Sequence, residues 1–284
     1  MNILYIGSSG ALSLIPFQKL LLSEYSVKAV GVFNPIVLDN RIIALENSSL
    51  SLFADQQNIP VIDLSQSVDL IVEQCKKISI DIILMSCFGK RLSEEVVALA
   101  KLGCFNMHPS LLPSYRGSEP IFWQMKYGSE IGVSWHLVTN DFDAGDVVKQ
   151  KAVILDDGAS YQEISDALAH AGANLMLEML TELSTANLSA RPQDQALSSY
   201  YPYPVKQDFV IDITWSAQHA FNFVRATEAF GYLYLCEIGK HHYMLDKVLD
   251  YDNNDHLQEA EVSGNTLNIP CNDGVLIATF TGKL

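Results

Sequence analysis

Along the N-terminal part of the chain, short apolar runs alternate with helix-length amphipathic stretches, and that alternation restricts the fold more than any other feature. The runs are Ile3 to Ile6, Val27 to Phe33, "NIPVIDL" from Asn58 to Leu64, and "IDIILMSC" from Ile80 to Cys87. "GSSG" follows the first run, and then a stretch places Leu14, Phe17, Leu20 and Leu21 on one helical face. A helix-like segment from Leu45 to Gln57 precedes the third run. Strands that are apolar on both sides and joined through helices form a parallel sheet covered on both faces. Right-handed crossovers make the result a Rossmann-like layer.

Farther on come "GCFNMH" (Gly103 to His108), an irregular Pro-bearing segment, a helix around Pro120 to Tyr127, and the strand "GVSWHLV" (Gly132 to Val138). "DVVKQKAVIL" (Asp146 to Leu155) reads as an edge strand. A helix from Ser160 to about Leu183 follows, its start marked by Ser160 with Glu163 three residues on, the pattern of a capping box. The texture then changes. Asn187 to Asp208 is polar, Pro-bearing and aperiodic, as a linker is. After it, "TWSAQHAFNFVRA" forms a helix capped at Thr214 or Ser216. Short alternating runs at Tyr232 to Ile238, Tyr243 to Leu249, Glu261 to Ile269 and Val275 to Phe280 predict a small antiparallel sheet or barrel. The expected organisation is a catalytic domain over 1–186, a linker over 187–208, and a β-rich, OB-like domain over 209–284. The fold class is α/β.

With 284 residues, 49% hydrophobic and 18% charged, the composition is that of a globule with ample core. No run approaches the roughly 20 apolar residues of a membrane-spanning helix. "MNILYIGSSG" enters an apolar strand without a basic leader, so no signal peptide is expected and the cytoplasm is the expected location. Cys75, Cys87, Cys104, Cys236 and Cys271 lie apart with no Cys-x-x-Cys pair, which predicts reduced thiols and no zinc site. The net charge of −15, from 33 acidic and 18 basic residues, repels polyanions.

Ligands of an open parallel sheet bind beyond the carboxyl ends of its strands. Asn106 and His108 sit at one such end, and Asp143 in "NDFDAGD" follows the strand ending at Val138. An asparagine amide and a histidine both donate to an oxyanion on a tetrahedral carbon. A carboxylate beside the histidine fixes its tautomer and raises its pKa, and it also takes a proton from an attacking amine, directly or through water. No serine or cysteine stands next to them as a nucleophile, which favours direct acyl transfer. The same residue types also serve as plain turn formers.

"FNMHPSLLPSYRG" followed by "DAGDVV" resembles the signature of the folate-dependent formyltransferases, and "SCFGKRL" resembles that family's pterin-receiving loop. "WSAQHAFNFVRA" is similar to the start of the C-terminal domain of methionyl-tRNA formyltransferases, so the resemblance spans nearly the whole chain. It implies 10-formyltetrahydrofolate as co-substrate, with no metal. It further implies that His108 and Asn106 stabilise the oxyanion while Asp143 orients His108 and assists proton removal. Phe88, Gly89, Leu92, Asn140 and Asp141 would line the pterin pocket.

The acceptor is less constrained. Relatives that formylate initiator tRNA carry a long basic loop after the second strand, whereas Asn34 to Ser49 here has Arg41 as its one basic residue. The linker adds Arg191 and Lys206, and Leu249 to Glu261 carries Asp250, Asp252, Asp255, Glu259 and Glu261 with no lysine or arginine. Binding tRNA requires cations that release counterions from phosphates, so acidity disfavours it. His136 matches branches acting on small amines: nucleotide-sugar formyltransferases, the glycinamide ribonucleotide enzyme and hydroxyornithine formylases. The expected acceptor is therefore a small-molecule amine, such as a nucleotide amino sugar or an amino-acid derivative. Methionyl-tRNA is the runner-up, a hydrolase of formyltetrahydrofolate and a non-catalytic folate-binding module stay open, and so does a homodimer. "GSSG" (Gly7 to Gly10) offers amides at a helix start as a phosphate seat, although it lacks the Gly-x-Gly-x-x-Gly spacing of a dinucleotide site.

Overall fold

The computed structural model describes residues 1–33 and 49–283, and the chain forms two compact units. The first comprises 1–117, 132–153 and 165–200; the second comprises 118–131, 154–164 and 201–284. Arg41 and the rest of 34–48 lie outside the described residues.

In the first unit the expected alternation folds as β1 (Asn2–Ile6), α1 (Ala11–Leu21), β2 (Ser26–Val32), α2 (Leu50–Gln56), β3 (Val61–Asp63), α3 (Val68–Lys77), β4 (Ile82–Ser86), α4 (Glu94–Val97) and β5 (Cys104–His108). A two-residue strand β6 (Arg116–Gly117), then β7 (Gly132–Leu137) and β8 (Val147–Ala152), follow. Seven of these strands make one sheet in the order β3-β2-β1-β4-β5-β7-β8. The pairs from β3 through β5 are parallel, while β5–β7 and β7–β8 are antiparallel. Ile3, Leu4, Tyr5 and Ile6 are fully buried because β1 is central and covered on both faces, which is why it reads as a continuous apolar run.

From β1 the chain builds outward to β3, then returns beside β1 with β4 and builds the other way. This reversal parts the loops that follow β1 and β4 and opens the sheet's carboxyl edge there. Gly7 lies in that opening. A Cβ on it would stand 2.9 Å from Ser13 Oγ and 3.1 Å from the Ser86 carbonyl, so the close approach itself demands glycine. Ser8 Oγ donates to the Cys87 carbonyl at 2.9 Å, joining the two loops.

The long helix α6 (Tyr161–Ser184) starts as the capping-box pattern predicts. Ser160 N donates to Glu163 Oε2 at 2.8 Å, and Glu163 N donates to Ser160 Oγ at 3.3 Å. Its later turns cover the back of β5 and β7, where Trp135 Nε1 donates to the Gly172 carbonyl at 2.8 Å. A Cβ at Gly172 would overlap the Met107 sulfur. The back face of β5 is therefore sealed by helix packing, and the chemistry is left to its front.

The second unit contains α5 (Pro120–Lys126), α7 (Ala217–Thr227) and a six-stranded sheet. After β9 (Tyr200–Tyr201), the strands are β10 (Val210–Ile211), β11 (Tyr234–Ile238), β12 (His241–Asp252), β13 (Glu261–Ser263), β14 (Thr266–Cys271) and β15 (Gly274–Lys283). They order as β10-β11-β12-β15-β14-β13. The expected run from Glu261 to Ile269 is split into a hairpin, because Gly264 takes φ +61° and Ser263 pairs directly with Thr266. Ser216, the second of the two expected caps, accepts from His219 N and starts α7. Phe122 of α5 packs at ring-centroid distances of 5.0, 5.5 and 5.6 Å from Phe209, Phe223 and Phe230, an aromatic core inside this unit. Among the described residues no helix is long and apolar enough to cross a membrane.

Gly172→Val should lower stability by about 1–3 kcal/mol, the usual cost of overpacking, although valine is the better helix former. Urea unfolding midpoints of the two proteins check this; equal midpoints would mean that the Met107 contact yields freely.

Candidate active site

The front of the site is built by the register of β5 on β7. Asn106 pairs with His136 and His108 pairs with Ser134, so alternation along the strand sends Asn106, His108 and His136 to one face. Phe105 and Met107 go to the other face and are buried there. The loop leaving β5 is pinned by Ser134, whose hydroxyl donates to the Ser110 carbonyl at 2.6 Å and accepts from Leu112 N at 3.1 Å. Gln150 donates to the Leu112 carbonyl at 2.8 Å, and the Leu112–Pro113 peptide bond is cis.

Asp143 reaches this face from the segment after β7. Its Oδ1 lies 3.6 Å from His108 Nδ1, 3.5 Å from His136 Nε2 and 3.5 Å from Asn106 Nδ2, while Oδ2 accepts from Gly117 N at 2.9 Å. One carboxylate thus gathers three polar side chains. The three residues expected to meet at one rim are brought together, with His136 as a fourth member. Asp143 holds φ +54°, an arrangement that costs a non-glycine residue about 1 kcal/mol or more and must be imposed by its surroundings. Gln193 imposes it: its amide donates to the Asp143 carbonyl at 2.8 Å and to the Gly145 carbonyl at 2.6 Å.

Tautomers follow from the acceptors. His108 Nε2 lies 2.7 Å from the Tyr115 carbonyl and His136 Nδ1 lies 2.8 Å from the Leu137 carbonyl, so each of these nitrogens carries the hydrogen. That leaves His136 Nε2 to accept from Asn106 Nδ2 at 3.2 Å. Both N–H groups of Asn106 are then occupied, by His136 and Asp143. Its Oδ1 is buried with no partner among the described residues. Donation from Asn106 to an oxyanion therefore requires its amide to turn over.

Burial drives the His108 pKa below its ordinary value, outweighing Asp143 and the Tyr115 carbonyl, which favour the charged ring. The neighbouring carboxylate does raise it, as expected, but by less than burial lowers it. Asp143 shows the opposite balance. Burial pushes its pKa up, but the neighbouring His108 and His136 rings and the Gly117 amide together hold it well below the carboxylate range. A carboxylate so far below neutrality is a weak base, which argues against its own uptake of a proton from an amine.

The residues expected to receive a pterin divide among several places. Leu92 and Asn140 line a cavity of about 170 Å³ with Val97, Ala98 and Val138. That is smaller than the roughly 300–1,000 Å³ of a cleft enclosing a drug-sized ligand. Asp141 lines a second cleft of about 630 Å³. Phe88 packs its ring 5.6 Å from that of Phe33, and a Cβ on Gly89 would meet open space. In "GSSG", Gly7 N donates to the Gly31 carbonyl and Ser8 N donates to Ser13 Oγ, so neither amide is free for a phosphate.

Sequence reasoning missed Gln193 and Arg116. Arg116 is 7% exposed and donates to Gln193 Oε1 at 2.7 Å and to Gln195 Oε1 at 3.0 Å. A glutamine in an aperiodic polar stretch carries no periodic signal, and the arginine was legible only as part of "SYRG".

The chain matches the family model described as formyl transferase over residues 21–180, more than half its length. It belongs to the formyl transferase family and is an enzyme of that family, as the motif resemblance implied. It is 34% identical over 239 residues to the methionyl-tRNA formyltransferase of Thermosynechococcus vestitus, covering 82% of this chain and 70% of that protein. It is 32% identical over 159 residues to the Thermotoga maritima methionyl-tRNA formyltransferase, an alignment spanning 51% of that protein's length. Among solved structures, WlaRD, a sugar 3N-formyltransferase studied with dTDP and 5-N-formyl-THF, superposes at TM-score 0.68 with 19% identity. That match covers 100% of this chain and 99% of that one. The N-formyltransferase of Helicobacter canadensis, in complex with folinic acid and dTDP-3-aminofucose, gives TM-score 0.68 at 20% identity, covering 99% of both chains.

The pKa values of His108 and Asp143 are both depressed in the fold, so each binds its proton more readily when unfolded. The stability each contributes is present above its unfolded pKa, about 6.5 for histidine and about 3.9 for aspartate, and is lost on acidification. Urea midpoints should therefore begin to fall below pH about 6.5, and His108→Gln should flatten the part between pH 6.5 and 5. Parallel pH curves for the two proteins would show that His108 titrates normally.

Proposed function

We propose that the chain transfers a formyl group from 10-formyltetrahydrofolate to the amine of a small-molecule acceptor, a nucleotide amino sugar or an amino-acid derivative, by direct attack through a tetrahedral intermediate. The observation that carries this reading is the convergence of Asn106, His108 and His136 on one buried oxygen of Asp143. The formyl-folate ligands of the two sugar formyltransferases, whose fold spans this whole chain, support the co-substrate.

In this mechanism His108 begins neutral, with its Nδ1 lone pair facing the site. As the amine attacks the formyl carbon, its proton passes to Nδ1. The imidazolium so formed is stabilised by Asp143 and donates to the oxyanion, then returns the proton to the departing folate nitrogen. Asp143 acts by holding charge on the ring and stays ionised throughout. Asn106 presents its open Oδ1 to an N–H of the incoming amine and, once its amide has turned, presents Nδ2 to the oxyanion.

Methionyl-tRNA is the second reading, supported by the relatives at 30–34% identity that cover 70% or more of their own length. Charge favours the small amine. With 33 acidic against 18 basic residues, the average field of the chain repels a polyanionic acceptor.

His108→Ala should reduce turnover by about 100-fold or more with the fold retained, as loss of an oxyanion donor does; near-normal turnover refutes its role. Formylation of a dTDP-linked amino sugar should vary little between 50 and 200 mM salt. If methionyl-tRNA is formylated instead, with activity falling steeply over that range, the small-amine reading is wrong.

A further inference from the structure

Two cavities flank the segment that carries Asp143, and Thr139 borders both. One is the small apolar cavity described above. The other, about 630 Å³, is bordered by Arg91, Arg116, Asp141, Phe142, Gln195 and Tyr200, among others. Its charge runs against that of the chain as a whole: two guanidiniums and a single carboxylate face it.

Arg116 is the unusual member. Burying a guanidinium costs several kcal/mol unless a counter-charge repays it. Here the side chain, 7% exposed, donates to the amide oxygens of Gln193 and Gln195. It forms no ion pair with a carboxylate among the described residues. Neutral amides satisfy these hydrogen bonds in place of a directly paired carboxylate. Arg91 stands at the same cleft with its guanidinium carbon 5.2 Å from the centre of the Phe142 ring, a stacking that orients an otherwise exposed fork. Paired guanidinium forks of this kind suit the planar or tetrahedral oxygens of carboxylate and phosphate.

From this we infer that the 630 Å³ cleft is an anion seat, holding a phosphate or carboxylate carried by one of the two substrates while the reacting end lies at Asp143. The inference rests on the formyl-transfer reading for what the anion is attached to, but the seat itself is a property of Arg91 and Arg116. The truss from Arg116 through Gln193 to the Asp143 carbonyl ties the seat to the reacting carboxylate.

Inorganic phosphate is the probe, titrated calorimetrically into the full chain at constant ionic strength with chloride as control. Saturable binding is expected in the wild type, weakened at least tenfold by Arg91→Ala, which alters an exposed side chain, and by Arg116→Lys, which keeps the charge and loses the fork. No saturable binding, or equal affinity in all three proteins, overturns the seat. His108→Ala should bind phosphate as the wild type does while losing turnover, so the seat and the formyl-transfer reading fail separately. A repeat titration with saturating tetrahydrofolate identifies the source: unchanged phosphate affinity assigns the seat to the acceptor, and displacement assigns it to the donor's carboxylates.

Discussion

Asp143 is the constraint on which the rest of the site depends. A carboxylate this buried stays ionised only if its surroundings favour the charge, and the fold supplies the Gly117 amide on one oxygen and the Asn106 amide with two imidazole rings around the other. Each of those side chains is placed by something else: β5 and β7 by their register, the loop after β5 by Ser134 and Gln150, and the Asp143 backbone by Gln193. The carboxylate is therefore both a product of the packing and the reason the polar groups converge.

Neighbouring groups divide the chemistry through their electrostatic environments. His108 and Asp143 face each other, yet burial wins at the ring and the hydrogen-bonded neighbours win at the carboxylate. The outcome is a neutral base beside a fixed negative charge, the arrangement in which a transient imidazolium is formed readily and held in place. His136 does different work. Its hydrogen is committed to the Leu137 carbonyl, so it accepts from Asn106 and decides which atom of that amide stays open.

The C-terminal part of the chain shares its compact unit with two earlier segments. Phe122, from a helix within the N-terminal half of the chain, sits at the centre of its aromatic core beside Phe209, Phe223 and Phe230. Tyr161 donates to Glu119 at 2.8 Å inside the same unit, and burial raises the Glu119 pKa against that hydrogen bond. Three separate stretches of chain are needed to complete this unit.

By itself the sequence determined the alternation of strands and helices, the capping of α6 at Ser160, a cap for α7 at Thr214 or Ser216, and the residue types Asn106, His108 and Asp143 at a sheet edge. These were legible because periodicity and capping are local, and because a short motif carries its chemistry with it. Only the tertiary structure decided that Glu261 to Ile269 is a hairpin, that Phe88 packs on Phe33, and that His136 orients Asn106. It alone revealed that Gln193, in an aperiodic polar stretch, braces both Arg116 and Asp143. Those outcomes turn on through-space distances between residues far apart in the chain, and on the desolvation that sets the His108 pKa below its ordinary value, neither of which is written in the order of residues.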